Sequence, residues 1–229
     1  MYKSKLEMKR LFFAIALLVT TLSANAQYDP GKWSMQIKYG LGASMFTGME
    51  SLPLSTGKVD SEPKFSKLWG LEFEYQISNK LGIDLGLLRS WEGGGWKDFT
   101  EDNVKMKDPK FKLDYYRFPI LANFYVAKGL ALKTGVQLGY MLNADFEVKT
   151  DETIINHDAT LTTTIDMKDD CKRFDVGIPI GISYETKGHF VFDARFVYGL
   201  TKVNDKSVEG EKDWKNASFI ISFGYKCDL

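Results

Sequence analysis

Ten charged residues occupy positions from which strands would aim them all at one side: Lys38, Glu72, Glu74, Asp84, Arg117, Lys133, Arg173, Asp175, Asp193 and Arg195. Five are cations and five are carboxylates. Such a set could do three things. Two carboxylates could trade protons with a substrate, as general acid–base catalysis requires. A file of mixed charges could pass ions. Or the charges could pair with one another and fill a space, because a charge removed from water must be paired and hydrogen-bonded to be tolerated.

Other catalytic chemistry finds little support. Ser-His-acid hydrolysis needs a histidine as general base, and the chain has two, His157 and His189. His189 falls at a short turn and His157 in a polar stretch among Asp and Thr. No G-x-S-x-G elbow occurs. The two histidines and two cysteines are too scattered for a metal constellation. The acidic run Asp145, Glu147, Asp151, Glu152, Asp158, Asp166, Asp169 and Asp170 is interrupted by Lys149 and Lys168, and reads as a solvated surface. No catalytic, metal or cofactor site is assigned, and no cofactor is expected. A formal net charge of zero argues against nucleic acid as a partner.

The elements that must hold the ten charges are β-strands. The clearest is Leu113 to Val126. Its even positions, Tyr116, Phe118, Ile120, Ala122, Phe124 and Val126, are apolar or aromatic, and its odd positions are mixed. Period two with many aromatics predicts a strand. Its length exceeds the typical globular strand of about 5–6 residues and suits a bilayer crossing, which takes about 9–11. Pro119 cannot donate to a ladder, so it is expected at a bulge or an unpaired position.

Seven more strands follow from the same alternation: Trp33 to Met45, Leu68 to Ser78, Leu81 to Trp91, Leu130 to Leu142, Arg173 to Glu185, His189 to Leu200 and Ala217 to Tyr225. Leu87-Leu88, with Arg89 at an apolar position, places a bulge near the end of the third. Short turns are expected at Asn79-Lys80, Lys128-Gly129 and Lys187-Gly188. Long loops are expected over Thr47–Ser66, Glu92–Lys110, Asn143–Asp170 and Thr201–Lys215, with a hairpin at Phe146 and Val148 projecting from the third. Alternating long and short connections with an even strand number are the pattern of a small outer-membrane barrel with periplasmic turns.

A soluble eight-stranded barrel would show the same alternation with its faces reversed. Two features favour the membrane form. The polar face is rich in glycine (Gly40, Gly42, Gly82, Gly86, Gly135, Gly139 among others), which makes room for long charged side chains in a narrow lumen. The aromatics fall in two bands: Trp69, Trp91, Tyr140, Tyr198 and Trp214 at the outer interface, and Trp33, Tyr75, Phe124, Tyr184, Phe190 and Tyr225 at the periplasmic one. Eight strands leave no aqueous channel, so the ten charges are expected to form a structural plug.

At the N-terminus, Met8-Lys9-Arg10, an apolar run from Leu11 to Val19 and Ala24-Asn25-Ala26 read as a secretory signal. Residues 1–26 are expected to be a cleaved signal peptide and 27–229 a single outer-membrane β-barrel domain. Cys171 and Cys227 fall at opposite ends of that barrel and are expected to stay unbonded.

Tyr116-Arg117-Phe118-Pro119-Ile120-Leu121-Ala122-Asn123-Phe124 resembles the Tyr-x-x-Pro-Leu-Leu-x-x-Tyr/Phe strand of the PorT-like outer-membrane β-barrel family. Strand spacing and Gly-aromatic alternation extend the resemblance loosely over the mature chain. Ala122 and Asn123 depart from the bulkier or basic residues common there, and the chain ends on Lys226-Cys227-Asp228-Leu229 instead of an aromatic. The resemblance implies a Gram-negative outer membrane, contact with its lipid, and an accessory part in protein export or surface assembly. The residues themselves favour a non-enzymatic membrane protein that meets protein partners through its external loops or its periplasmic side. A lipid-modifying enzyme is the remaining alternative.

Overall fold

Alternation of apolar and polar residues over long runs builds one antiparallel sheet that closes on itself. The structure, a computed structural model, describes residues 28–48, 51–54, 57–101, 104–154, 157–205 and 213–229. The expected signal peptide, residues 1–26, lies outside the described residues. Eight strands form the ring: β1 Trp33–Thr47, β2 Lys64–Ser78, β3 Leu81–Trp96, β4 Val104–Ala127, β5 Leu130–Ile154, β6 Phe174–Glu185, β7 Phe190–Gly199 and β8 Lys215–Asp228. Each pairs with its neighbours in sequence, and β8 returns to β1 to close the barrel. Closure leaves no free edge within the ring. The fold is all-β, an eight-stranded antiparallel up-and-down barrel.

The faces are those of a membrane barrel. Phe118, Ile120 and Phe124 of β4 are exposed, while Leu121 and Asn123 between them are buried. The same holds round the ring: Ile180, Ile221 and Leu87 face out, and Lys38, Glu72, Asp84 and Arg195 face in. Burying charges while exposing leucine and isoleucine is unfavourable in water and is the ordering that hydrocarbon demands.

Pro119 interrupts the ladder as its missing N–H requires. Pairing of β3 with β4 steps from Leu85–Ile120 to Leu88–Arg117, with no partners assigned opposite Pro119 and Phe118. The bulge expected near Leu87-Leu88 is not there. The β2–β3 register is continuous through that stretch and shifts only between Gln76 and Ser78. Arg89 therefore faces outward in earnest, bound to Asp114.

Three of the expected loops are largely strand. β2 starts at Lys64, β3 runs on to Trp96, and β4 and β5 extend to 24 and 25 residues. The strand His157–Asp166 pairs back along β5, so a three-stranded wall stands above the ring. The physical reason is an inversion of polarity. Within the membrane the outer face is apolar. In the wall Phe111, Ala144 and Val148 point inward and are buried, while Lys112, Asp145 and Glu147 point outward. On β5 a one-residue register shift opposite Asp114 and Tyr115 moves Ala144 and Phe146 to the inner side. Wall composition is therefore that of a soluble sheet, polar toward water, which a search for apolar-out alternation reads as loop.

The Gly93-Gly94-Gly95 run, also expected in a loop, lies inside β3. A Cβ on Gly94 would stand 2.6 Å from Cδ2 of Phe46, so glycine is what lets that ring lie against the strand.

Candidate functional site

The interior is stacked in layers. The outermost is apolar: Phe46, Trp96, Phe111, Leu113, Tyr115, Met141, Ala144, Cys171 and Val203 form one buried cluster. Trp214, expected in the outer aromatic band, packs on this cluster instead, 6.0 Å from Phe46 and 6.3 Å from Phe111 between ring centroids. It is led there by the segment after β7, whose Val203 N–H donates to the Trp214 carbonyl at 2.7 Å.

Below lies the Arg117 layer. Arg117 donates to Glu92 through Nε at 3.2 Å and Nη2 at 2.6 Å, and through Nη1 to Asp175. Its guanidinium stands 3.9 Å over the Tyr115 ring. The remaining carboxylate lone pairs are met by Ser90 on Glu92 at 2.8 Å and by Thr201 and Asn216 on Asp175 at 2.8 and 3.3 Å. Gly139 leaves the space: a Cβ there would collide with Nη1 of Arg117.

The middle layer joins strands across the lumen. Glu72 accepts from Lys38 at 3.0 Å and from both terminal nitrogens of Arg195 at 3.0 and 3.4 Å. Asp193 lies 3.3 Å from Arg195 and 3.6 Å from Lys38. Lys133 holds Asp84 at 2.8 Å. A void of about 20 Å³ separates this layer from the one above, lined in part by Lys38, Glu92, Arg117 and Arg195. That is the room of about one water probe, not a channel.

The periplasmic layer is built on Lys226, which binds Glu74 at 2.7 Å and Glu185 at 3.1 Å. Tyr125 donates to Glu74 at 2.5 Å. Tyr28 enters from the segment before β1, its ring 4.2 Å from that of Tyr125 and its hydroxyl 3.2 Å from Glu185. A cavity of about 200 Å³ opens beside it to the periplasmic side.

Nine of the ten expected charges meet in these layers. Arg173 does not: it lies before β6, its side chain is 39% exposed, and it pairs with Asp169 at the outer rim. Arg117 and Asp84, inward-facing on neighbouring strands, do not pair with each other. Register places Arg117 opposite Leu88, and Asp84 opposite Leu121. Four residues of strand, about 13 Å, separate the two levels. Glu92 and Lys226 were missed because β3 and β8 run further than their apolar alternation. Their parity is the signal: Glu92 continues the series from Asp84, and Lys226 that from Ser222.

In these layers the charged groups are engaged with one another in acid–base pairs. His189, at a periplasmic turn with φ of 63°, has Nδ1 3.4 Å from Glu185. Among the described residues no group of three or more His, Cys, Asp or Glu could hold a metal. In the acidic run, Glu147 is bound by Lys110 and Lys112 and Asp169 by Arg173.

Similar solved structures include the attachment invasion locus protein Ail of Yersinia pestis, in complex with the heparin analogue sucrose octasulfate, at 18% identity over 87% of this chain and 100% of that one, TM-score 0.41. The outer membrane protein OprG of Pseudomonas aeruginosa is 14% identical over 89% and 99%, TM-score 0.43. Neisserial surface protein A is 16% identical over 84% and 96%, TM-score 0.39. No curated protein matches the sequence. A barrel with lipid-facing strands and a charged interior, matched over residues 25–205 by the outer membrane protein beta-barrel domain, belongs to that family and resides in the outer membrane.

Proposed function

We propose that this protein is a non-enzymatic outer-membrane anchor whose work is done by the wall above the barrel, as a surface that meets other molecules outside the cell. One observation carries the reading: side chains fill the lumen from the apolar cluster at its outer end to the Lys226 layer at its inner end, which supports interior charges that act as a structural plug. What is left for function is the wall of β4, β5 and His157–Asp166, on which residues 161–166 are exposed. Binding residues favour such external segments held by a rigid scaffold. The same reading has residues 1–26 removed as a signal peptide and residues 27–229 delivered as one barrel domain.

A second reading rests on the PorT-like strand at Tyr116 to Phe124: an accessory part in protein export, with the periplasmic mouth as the contact. Lipid modification is disfavoured by position, since His189 lies at the periplasmic end, away from outer-leaflet substrate.

A photo-crosslinking residue at Thr163 and, separately, at Lys187 in living cells distinguishes the two. Adducts from Thr163 alone are expected for a surface protein. Adducts from Lys187 alone refute that reading and favour export.

A further inference from the structure

The outward face of this barrel is not uniform. On β1, β6 and β7 the lipid-facing positions hold no lysine or arginine. On β2 and β3 they hold Lys67 and Arg89, at the outer aromatic band, and above them on the wall β4 carries Lys110 and Lys112 outward. Arg89 pairs across the ladder with Trp69 on one side and Tyr116 on the other. Lys67 and Trp91, a directly paired couple, lie two residues further out, about 7 Å along the strands. That is headgroup height, where tryptophan and tyrosine collect.

These groups are arranged about one ring. Lys67 Nζ lies 4.7 Å and the Arg89 guanidinium 5.0 Å from the Trp91 ring centroid. Asp114 neutralises Arg89 through two hydrogen bonds of 3.2 and 2.8 Å, and Glu147 binds Lys112. Lys67 has no carboxylate partner among the described residues. Lys64 approaches from the inner side and donates to two backbone carbonyls, of Glu92 and Phe111, at 3.4 Å each. Beside this group is a cavity of about 380 Å³ whose charged lining is Lys64, Lys67, Lys112, Asp114 and Asp145, three cations to two carboxylates, with Phe65 and Trp91 as its aromatic walls. Small-ligand sites span about 300–1,000 Å³, so the space exceeds what a bare phosphate needs. Phe65, 64% exposed, stands two residues beyond Lys67 on the same face and offers an apolar surface to whatever binds.

We propose that this sector, centred on Lys67 and Trp91, binds the phosphorylated sugar headgroup of an outer-leaflet glycolipid. Lys67 supplies the charge for a phosphate. Trp91 and Phe65 cover the apolar face of the sugar, and Arg89, fixed by Asp114, holds the Trp91 ring in place. The site deepens the surface-anchor reading, because it would fix one side of the barrel to the leaflet and so set which way the wall faces. It does not need the wall to have a partner, so the two stand or fall separately.

The test is native mass spectrometry of the full-length folded protein from micelles. The micelles are doped with bis-phosphorylated lipid A or with the same lipid stripped of phosphate. Wild type is expected to retain the phosphorylated form about tenfold better, the worth of one charge-assisted hydrogen bond. Lys67→Ala is expected to lose that preference, and Trp91→Leu to lose retention of both forms. Lys215→Ala, on the outward face of β8, keeps both. Lys67 is exposed, so its replacement leaves the fold intact, and heat-modified gel mobility confirms it. Equal retention of the two lipids by wild type, an unchanged Lys67→Ala, or displacement by millimolar inorganic phosphate each overturns the proposal.

Discussion

Replacing Arg117 by alanine removes the cation from the most completely satisfied layer of the lumen. Arg117 is 3% exposed and is the charge partner of both Glu92 and Asp175. Its loss strands two buried carboxylates and takes away the stack on Tyr115. Breaking a buried pair costs about 3–5 kcal/mol. Ser90, Thr201 and Asn216 continue to donate to the carboxylates, so the lower end, about 3 kcal/mol, is expected. At about 2–4 °C per kcal/mol for a chain of this size, the midpoint falls by about 6–12 °C. The assay is the temperature at which the folded band disappears on a gel, with planar-bilayer conductance recorded alongside. Combining Arg117→Met with Glu92→Gln and Asp175→Asn is expected to restore much of the loss, since no unpaired charge is left. Adding Asp84→Leu to Arg117→Met is not, because Asp84 belongs to Lys133. An unchanged midpoint for Arg117→Ala, or recovery through Asp84, would refute the layered pairing.

Gly139→Val should destabilise the barrel by about 1–3 kcal/mol, as overpacking does, because its Cβ meets Arg117 and comes to 3.2 Å of Asp175 Cβ; Gly188→Ala, with nothing nearer than 3.6 Å, is the silent control, read on the same gel. Peptide mapping with and without reductant should find no Cys171–Cys227 bond, since a band about 25 Å tall lies between the two ends and a disulfide needs Cα atoms within about 7 Å. Burial, aided by Asp170 and Asp205, pushes the Cys171 thiol up to about 12, so iodoacetamide should modify it very slowly at neutral pH. In the wall, the Lys112 hydrogen bond, with further help from Lys110 and against partial burial, holds the Glu147 carboxyl below its usual range. A lowered folded value stabilises above the unfolded value of about 4.3 and is lost as pH falls through the folded one. Hydrogen-exchange protection of 143–150, taken relative to the intrinsic rate at each pH, should therefore be high at pH 7 and fall only on acidification below that value, and Glu147→Gln should abolish the dependence; protection lost between pH 5 and 8 would contradict it.

Much of the fold was legible because period two has a direct physical cause, alternate side chains on opposite faces of a strand. Tyr116 to Phe124 shows it without ambiguity. The wall was not legible, since Phe146 and Lys112 follow the rule of a soluble sheet where the strands below them follow that of hydrocarbon. Nor was partner choice in the lumen. Parity says that Arg117 and Asp84 both point inward, but their heights depend on register, which Pro119 and the short turns fix. Glu92 and Lys226 could have been found by carrying parity past the last apolar residue. Arg173 shows the converse error: it has the parity of Asp175 but lies before the strand begins.

The central claim is a barrel with apolar faces in lipid, turns inside the cell envelope and the wall outside. Single cysteines in a Cys171→Ser/Cys227→Ser background test it most directly: Thr163→Cys on the wall, Phe196→Cys on the lipid face and Lys187→Cys at a short turn, exposed in intact cells to a membrane-impermeant maleimide. Label at 163 alone is predicted, with 187 reacting only after the outer membrane is permeabilised and 196 remaining protected. Label at 187 in intact cells with 163 protected would invert the orientation, and ready label at 196 would take that face out of lipid altogether.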